Sequence, residues 1–246
     1  MFIVAVAELK VEIQDAIRPL AGDLATTPYE LKLAFNAGFP AVVLVTADET
    51  QARAAQKVIA GRGHRPILCD RRDVTPSSEM TQLRAFRLLP DALIPDEGSP
   101  RRLDFGDISV LLRATHRTTS ERTEQVKERK IRPVMAVMTG GLVLSKTTQR
   151  TVTSSTAHNE QVLYLFSRSH APWLLRERNA SYSGLGSRLS ASSFENFGTT
   201  IQLLREGCPS AAYDERLKTS RPMRGVADGI DATDIYAHML AMCLAP

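Results

Sequence analysis

Ala41-Val42-Val43-Leu44-Val45 is an uninterrupted apolar run, rich in β-branched residues, yet only five residues long. That is the length of a strand and far below the ~18–20 residues that cross a bilayer. A run with no polar alternation suits a strand covered on both faces, so residues 41–45 are expected to be a central strand. Phe2–Ala7 (FIVAVA) is a second apolar run of strand length. The residues around these runs carry helix signals. Val11, Ile13, Ile17, Leu20 and Leu24 are the apolar positions of a first helical stretch. Thr27-Pro28-Tyr29-Glu30 is a capping box, in which Thr27 caps, Pro28 occupies the first turn and Glu30 reaches back. Leu31 and Phe35, with Leu33 or Ala34, then offer a face to bury, and Asn36-Ala37-Gly38 followed by Pro40 stops the helix. Asp48 caps a third helix with Ala52, Ala55, Val58 and Ile59 inside, Gly61 and Gly63 end it, and residues 65–69 (RPILC) read as a strand.

The order is therefore strand, helix, helix, strand, helix, strand. This order, with the run from Thr26 to Cys69 (TTPYELKLAFNAGFPAVVLVTADETQARAAQKVIAGRGHRPILC), resembles the C-terminal domain of the bacterial ribosomal stalk protein. The resemblance covers residues 2–70 and implies a small βααβαβ domain over residues 1–75. The family's Gly-Leu-Lys before its second helix is replaced here by Thr27-Pro28-Tyr29, and its dimerising N-terminal domain and hinge have no counterpart. The fold is carried over, and the role in translation is not.

Asp70–Thr81 is polar and reads as a connector. Strand-like segments follow at 84–89, 92–95, 108–115, 142–152, 161–167 and 173–178, with a turn at 96–100 and a hairpin loop at 169–172. Ser192-Ser193-Phe194-Glu195 is a second capping box, and Phe194, Phe197, Ile201 and Leu204 recur at helical spacing before Gly207 and Pro209. Several strands closed by one amphipathic helix resemble a pleckstrin-homology-like β-barrel, or a strongly bent sheet, over residues 82–212. That likeness implies that all four apolar side chains of the helix face the interior. Residues 213–246 are expected to be a linker and a terminal helix capped by Asp231, with Ile235, Met239, Met242 and Cys243 on one face that docks on its own domain or on a partner. The fold class is α+β, and the chain as a whole resembles a two-part bacterial type.

With 43% hydrophobic and 24% charged residues, the 246-residue chain can bury a core, which excludes a disordered or fibrous class. Its start has no basic region before its apolar run, and the expectation is a cytoplasmic protein without a membrane span. Three widely separated cysteines fit free thiols. The net charge of +4 is uneven: residues 113–150 hold nine bases against three acids, a surplus of six, so the remainder sums to −2. Arg113, Arg117, Lys127, Arg129, Lys130 and Arg132 are the candidates for an anionic partner, the plainer account being a solvated loop with acids interleaved. The hydrolase, zinc-protease and phosphate-loop motifs are missing, and Gly184-Leu185-Gly186 reads as a turn. The five histidines are scattered and read as surface or packing residues, while Asp228, Asp231 and Asp234 read as carboxylates at a helix N-terminus. No catalytic, metal or cofactor residue is singled out. The expected function is a non-enzymatic protein-binding, adaptor or regulatory one. The alternatives are a nucleic-acid- or ribosome-associated protein using the basic segment, and an enzyme whose site the sequence does not reveal.

Overall fold

The structure, a computed structural model, describes residues 1–95, 101–130, 146–219 and 231–245, and within 117–158 it describes the backbone of the strands only. The expected turn at 96–100, Arg132 and most of the linker at 218–230 lie outside the described residues. By contacts the chain divides into one compact unit, Met1–His116 with Glu160–Pro246, and a second, Arg117–Asn159. The elements are β1 (Phe2–Glu8), α1 (Ile13–Asp23), α2 (Pro28–Asn36), β2 (Ala41–Thr46), α3 (Glu49–Gly61), β3 (Arg65–Asp70), β4 (Thr81–Gln82), β5 (Ala85–Leu88), β6 (Ala92–Pro95), β7 (Leu103–Asp104), β8 (Ile108–Lys130), β9 (Lys146–Ser167), β10 (Trp173–Arg176), β11 (Ser181–Gly184), α4 (Ser193–Gly207), β12 (Ala212–Leu217) and α5 (Ala232–Leu244). The class is α+β, as expected.

The first seventy residues follow the expected order, and the caps form as read. Both arms of the Thr27–Glu30 box are made, at 3.2 Å from the Glu30 amide to Thr27 Oγ1 and 3.1 Å from the Thr27 amide to Glu30 Oε2. Gly38 takes φ +96° just after α2, where an L side chain would be strained. One expectation is corrected. The sheet order is β2-β1-β3, so Phe2–Glu8 is the central strand and residues 41–45 lie at an edge. The pairing with β1 slips between Val4↔Leu44 and Ala5↔Val42, leaving Val43 as the extra residue of a bulge. Val43 and Leu44 consequently both pack toward the helices, while Val42 and Val45 pack on the opposite face. Both faces are covered, and that is why even an edge strand here has no polar alternation.

Period-two alternation then sorts the buried residues into three cores. Phe2, Val4 and Val6 of β1 join α1, α2 and α3 in one core, and Ile3 and Ala5 face another. That second core also takes Ile67 and Cys69 of β3, one face of the five-stranded sheet β12-β8-β9-β10-β4, and α5. From the sheet it receives Val110, Leu112, Ala114, Val162, Tyr164, Phe166 and Leu174. The neighbours in sequence, Leu111, Leu163, Leu165, Trp173 and Leu175, point the other way, into a third core closed by α4 and by the four-stranded sheet β11-β5-β6-β7. Among the described residues these sheets are open, and no barrel closes. α5 docks within its own unit: Ile235, Met239 and Leu240 are buried in the second core, whereas Met242, expected on the apolar face, is exposed.

α4 covers the third core with Phe197, Ile201 and Leu204, all buried. Phe194, expected to face inward with them, is 60% exposed. The first turn of α4 precedes the covered stripe, and its buried side chain is Asn196, which accepts from the Ser190 amide at 2.7 Å and donates to the Ser190 carbonyl at 2.9 Å. Short segments without a strong apolar pattern escaped the sequence reading, namely β4, β7, β11 and β12. β11 explains Gly184: a Cβ there would lie 2.1 Å from the Phe86 carbonyl oxygen, so only glycine lets β11 approach β5. Phe197→Ala should cost about 3–5 kcal/mol, the range for deleting a fully buried ring. Phe194→Ala should change stability by no more than about 0.5 kcal/mol, as surface substitutions do. Urea unfolding of the two variants checks the pair, and equal losses would contradict the placement of α4.

Candidate functional site

The residues with chemical potential gather where α5, the five-stranded sheet and the 74–80 connector meet. His116 ends the described part of β8's side-chain layer, Tyr164 lies on β9, and Asp231, Asp234 and His238 belong to the start and middle of α5. Asp231 is the N-cap of α5, accepting from the Thr233 amide at 2.8 Å, as expected. Asp234 does something else. It is 1% exposed, and its Oδ1 accepts from the Tyr164 hydroxyl at 2.7 Å while its Oδ2 accepts from the Ser77 amide at 2.8 Å. Since the Tyr164 hydroxyl donates to Asp234, its oxygen accepts from His116 Nε2, which places the proton of neutral His116 on that nitrogen. His116 Nδ1 lies 4.0 Å from an Asp231 oxygen.

His238 is fixed in the same way. The Thr75 amide donates to its Nε2 at 3.1 Å, so Nδ1 must carry the proton that is donated to the Asp234 carbonyl at 2.8 Å. Both ring nitrogens are committed in the neutral form. Burial holds His116 and His238 below the ordinary histidine range; around His116 the opposing pull of Asp231 and Asp234 is the smaller effect, with Arg176 adding to the depression and Glu160 opposing it. Burial first, then the Asp234 charge, pushes the Tyr164 phenol well above its usual value. The thiols follow the same rule. Cys69 and Cys208 are free and buried, each pushed up to about 11.

Two of the concave features on this unit are walled mainly by polar side chains. The first is a pocket of about 270 Å³ lined by Ser77, Ser78, Gln82, Arg84, Arg176 and Asn179 with Leu83 and Leu174. It sits at the short parallel pair β4–β10, where Leu174 is opposite Gln82. The Gln82 side chain clasps the connector, donating to the Ser77 carbonyl at 2.6 Å and the Met80 carbonyl at 3.2 Å. The second is a wider cleft of about 650 Å³ between α4 and the edge of β12, walled by Arg113, Gln202, Arg205, Glu206, Tyr213 and Glu215. The Arg205 guanidinium stacks 4.3 Å from the Tyr213 ring centre.

The six basic candidates are not all placed alike. Arg113 is half-buried in the cleft wall, its Nε donating to Gln161 Oε1 at 3.1 Å and its guanidinium 5.7 Å from the Phe197 ring centre. Arg117, Lys127, Arg129 and Lys130 follow it along the unbroken strand β8, with side chains outside the described residues, and Arg132 lies outside altogether. The sequence reading missed His116, Tyr164, Asp234 and His238. Only the four-residue spacing of Asp234 and His238 was a local signal, and it reads equally well as an ordinary helix start. Among the described residues no three His, Cys, Asp or Glu side chains converge as a metal would require.

Two outcomes test the buried cluster. Asp234→Asn places an amide donor against the Tyr164 hydroxyl or the Ser77 amide, and should cost about 1–3 kcal/mol with faster hydrogen exchange at Ser77. The histidines set the pH dependence. Their folded pKa values lie below 6.5, so the unfolded chain takes up their protons first as the pH falls. The stability they contribute is therefore present above about 6.5 and is lost as the pH falls below it. Urea midpoints should drop from pH 7 to pH 5, with a shallower drop in His238→Gln, whose amide can serve both neutral partners; a flat wild-type profile would contradict the assignment. In comparisons with protein-family models, with curated proteins and with solved structures, this chain matches none.

Proposed function

We propose that this protein is a non-enzymatic binding protein of the adaptor or regulatory kind, working in the bacterial cytoplasm and engaging a protein partner through the cleft between α4 and β12. The observation that supports this reading is a separation. His238 and Tyr164 are buried among groups that already satisfy them, His116 is buried with its Nε2 on Tyr164, and none of the three lines either concave feature; Tyr213 and Glu215, which do wall the cleft, are displaced away from neutrality, the phenol upward by burial and the carboxyl downward by Lys218. The cleft instead presents guanidiniums, an amide, carboxylates and an aromatic ring, which recognise a partner and supply no accessible base tuned near neutrality. Aromatic and arginine side chains are the residue types that anchor protein interfaces. Three free thiols fit a reducing compartment.

Affinity capture from native cell extract should retain a discrete partner on the wild-type protein. Arg205→Glu, which breaks the stack on Tyr213 and reverses a charge in the wall, should lower that retention by about tenfold, equivalent to ~1.4 kcal/mol, with melting nearly unchanged. A partner retained equally by both proteins would remove the cleft from the account, and the absence of any retained protein would overturn the reading.

A second reading, association with nucleic acid, is favoured by one observation. Arg117–Asn159 is a compact unit of its own, and its sequence holds eight bases against three acids. Its check is the salt dependence of RNA and DNA binding, which should be steep in the wild type and flattened when Arg117, Lys127 and Arg129 are changed to Glu.

A further inference from the structure

Apart from the cleft, we propose that the pocket between the 74–80 connector and β10 is a binding site for the oxyanion group of a small ligand, a phosphate or a carboxylate. Its lining is one-sided in hydrogen-bonding capacity. Arg84 and Arg176 are permanently cationic, and among the described residues no acidic side chain lines the pocket. The Arg84 guanidinium has no hydrogen bond or ion pair among the described residues. Arg176 commits Nη1 to Glu160 at 3.2 Å, with its remaining donors unassigned among the described residues. The hydroxyls of Ser77 and Ser78 and the amide of Asn179 likewise have no partner among the described residues. The chemistry left open is therefore that of donors, and the complement of converging donors is an anion with several oxygens. Leu83 and Leu174 supply an apolar wall, which strengthens such contacts by limiting water. At about 270 Å³ the space is smaller than a drug-sized site, so it suits a compact anionic group on a short stem.

The connector that carries Ser77 and Ser78, and Arg176, are held in place before any ligand arrives. Two side chains of α5 grip the connector, His238 through the Thr75 amide and Asp234 through the Ser77 amide. Gln82 grips the same segment through the Ser77 and Met80 carbonyls, and the turn closes with the Glu79 and Met80 amides on the Pro76 carbonyl at 2.8 and 3.2 Å. Opposite them, Glu160 holds Arg176 and also accepts from the Arg178 amide at 3.2 Å. A pocket ordered in advance loses less conformational entropy on binding. Asp234, Gln82 and Glu160 are thus positioning residues, and Arg84, Ser77 and Ser78 are the contacts.

Calorimetric titration of the full chain with inorganic phosphate and, separately, with malonate, at matched ionic strength, tests the site. Saturable binding of either anion in the millimolar range or tighter is expected, with a rise in melting temperature; the preferred anion then identifies phosphoryl or carboxylate as the group. Arg84→Gln should weaken binding about tenfold or more while melting without ligand stays unchanged, because that guanidinium holds no partner among the described residues. Ser78→Ala should weaken it less. Absence of saturable binding by both anions up to ~10 mM, a concentration at the weak end of the affinity scale, would overturn the proposal. So would binding that Arg84→Gln leaves intact. Arg84→Gln should also retain the protein partner that Arg205→Glu loses, so failure of this site and failure of the adaptor reading give different results.

Discussion

The bond between the Tyr164 hydroxyl and the Asp234 carboxylate is made inside the core between the three-stranded and the five-stranded sheet, and much else is arranged around it. A carboxylate with 1% exposure is costly to bury and persists only when its oxygens are supplied with donors. Here one donor comes from the central sheet and the other from the backbone of the connector at Ser77. Satisfying Asp234 therefore requires two other pieces of chain, with donors 157 and 70 residues away from it, to arrive together at α5. α5 cannot leave without abandoning both donors and the buried faces of Ile235, Met239 and Leu240 at once. A polar contact of this kind fixes which way a mostly apolar helix sits, because shape alone leaves neighbouring registers close in energy.

Covering α5 has a second consequence, for the sheets. β1 is buried throughout Phe2–Val6, which is possible only because α1–α3 take one face while α5 and the five-stranded sheet take the other. The same alternation runs through β8, β9 and β10. Successive residues such as Leu163, Tyr164 and Leu165 are all fully buried but belong alternately to two cores. A continuous apolar strand in this protein is thus a statement about layers, with the three-stranded and the five-stranded sheet each lying between two cores.

That distinction explains which parts of the fold were legible in the sequence. Caps and stops are local, so Thr27, Glu30, Gly38, Asp48, Ser192 and Asp231 could be read directly, and each occupies the expected end of its helix. The run at 41–45 was legible as a strand but not as an edge, because apolar content reports cover on the faces and says nothing about neighbours at the sides. Phe194 was assigned to the buried stripe on spacing alone, and spacing does not tell where along a helix the cover begins. The buried cluster was not legible at all. Its members are brought together by tertiary contacts across 48 to 163 residues, and each looks ordinary in its own neighbourhood.

The cluster and the pocket divide the chemistry of this unit between them. A histidine used in proton transfer needs one nitrogen free for the reacting group and a proton that can leave. His238 has both nitrogens occupied by backbone groups, and His116 is enclosed with its Nε2 on a phenol that itself donates onward. Protonating His238 would set an N–H against the Thr75 N–H, so the depressed affinity for protons and the hold on the connector are two expressions of one geometry. The groups that remain open, Arg84 and the serine hydroxyls, are those whose charge or polarity does not change near neutrality. On the protein's side, binding at the pocket would therefore vary with pH through the scaffold beneath it: acid would act on His238, loosen the connector, and release Ser77 and Ser78 from their positions without changing the charge of Arg84.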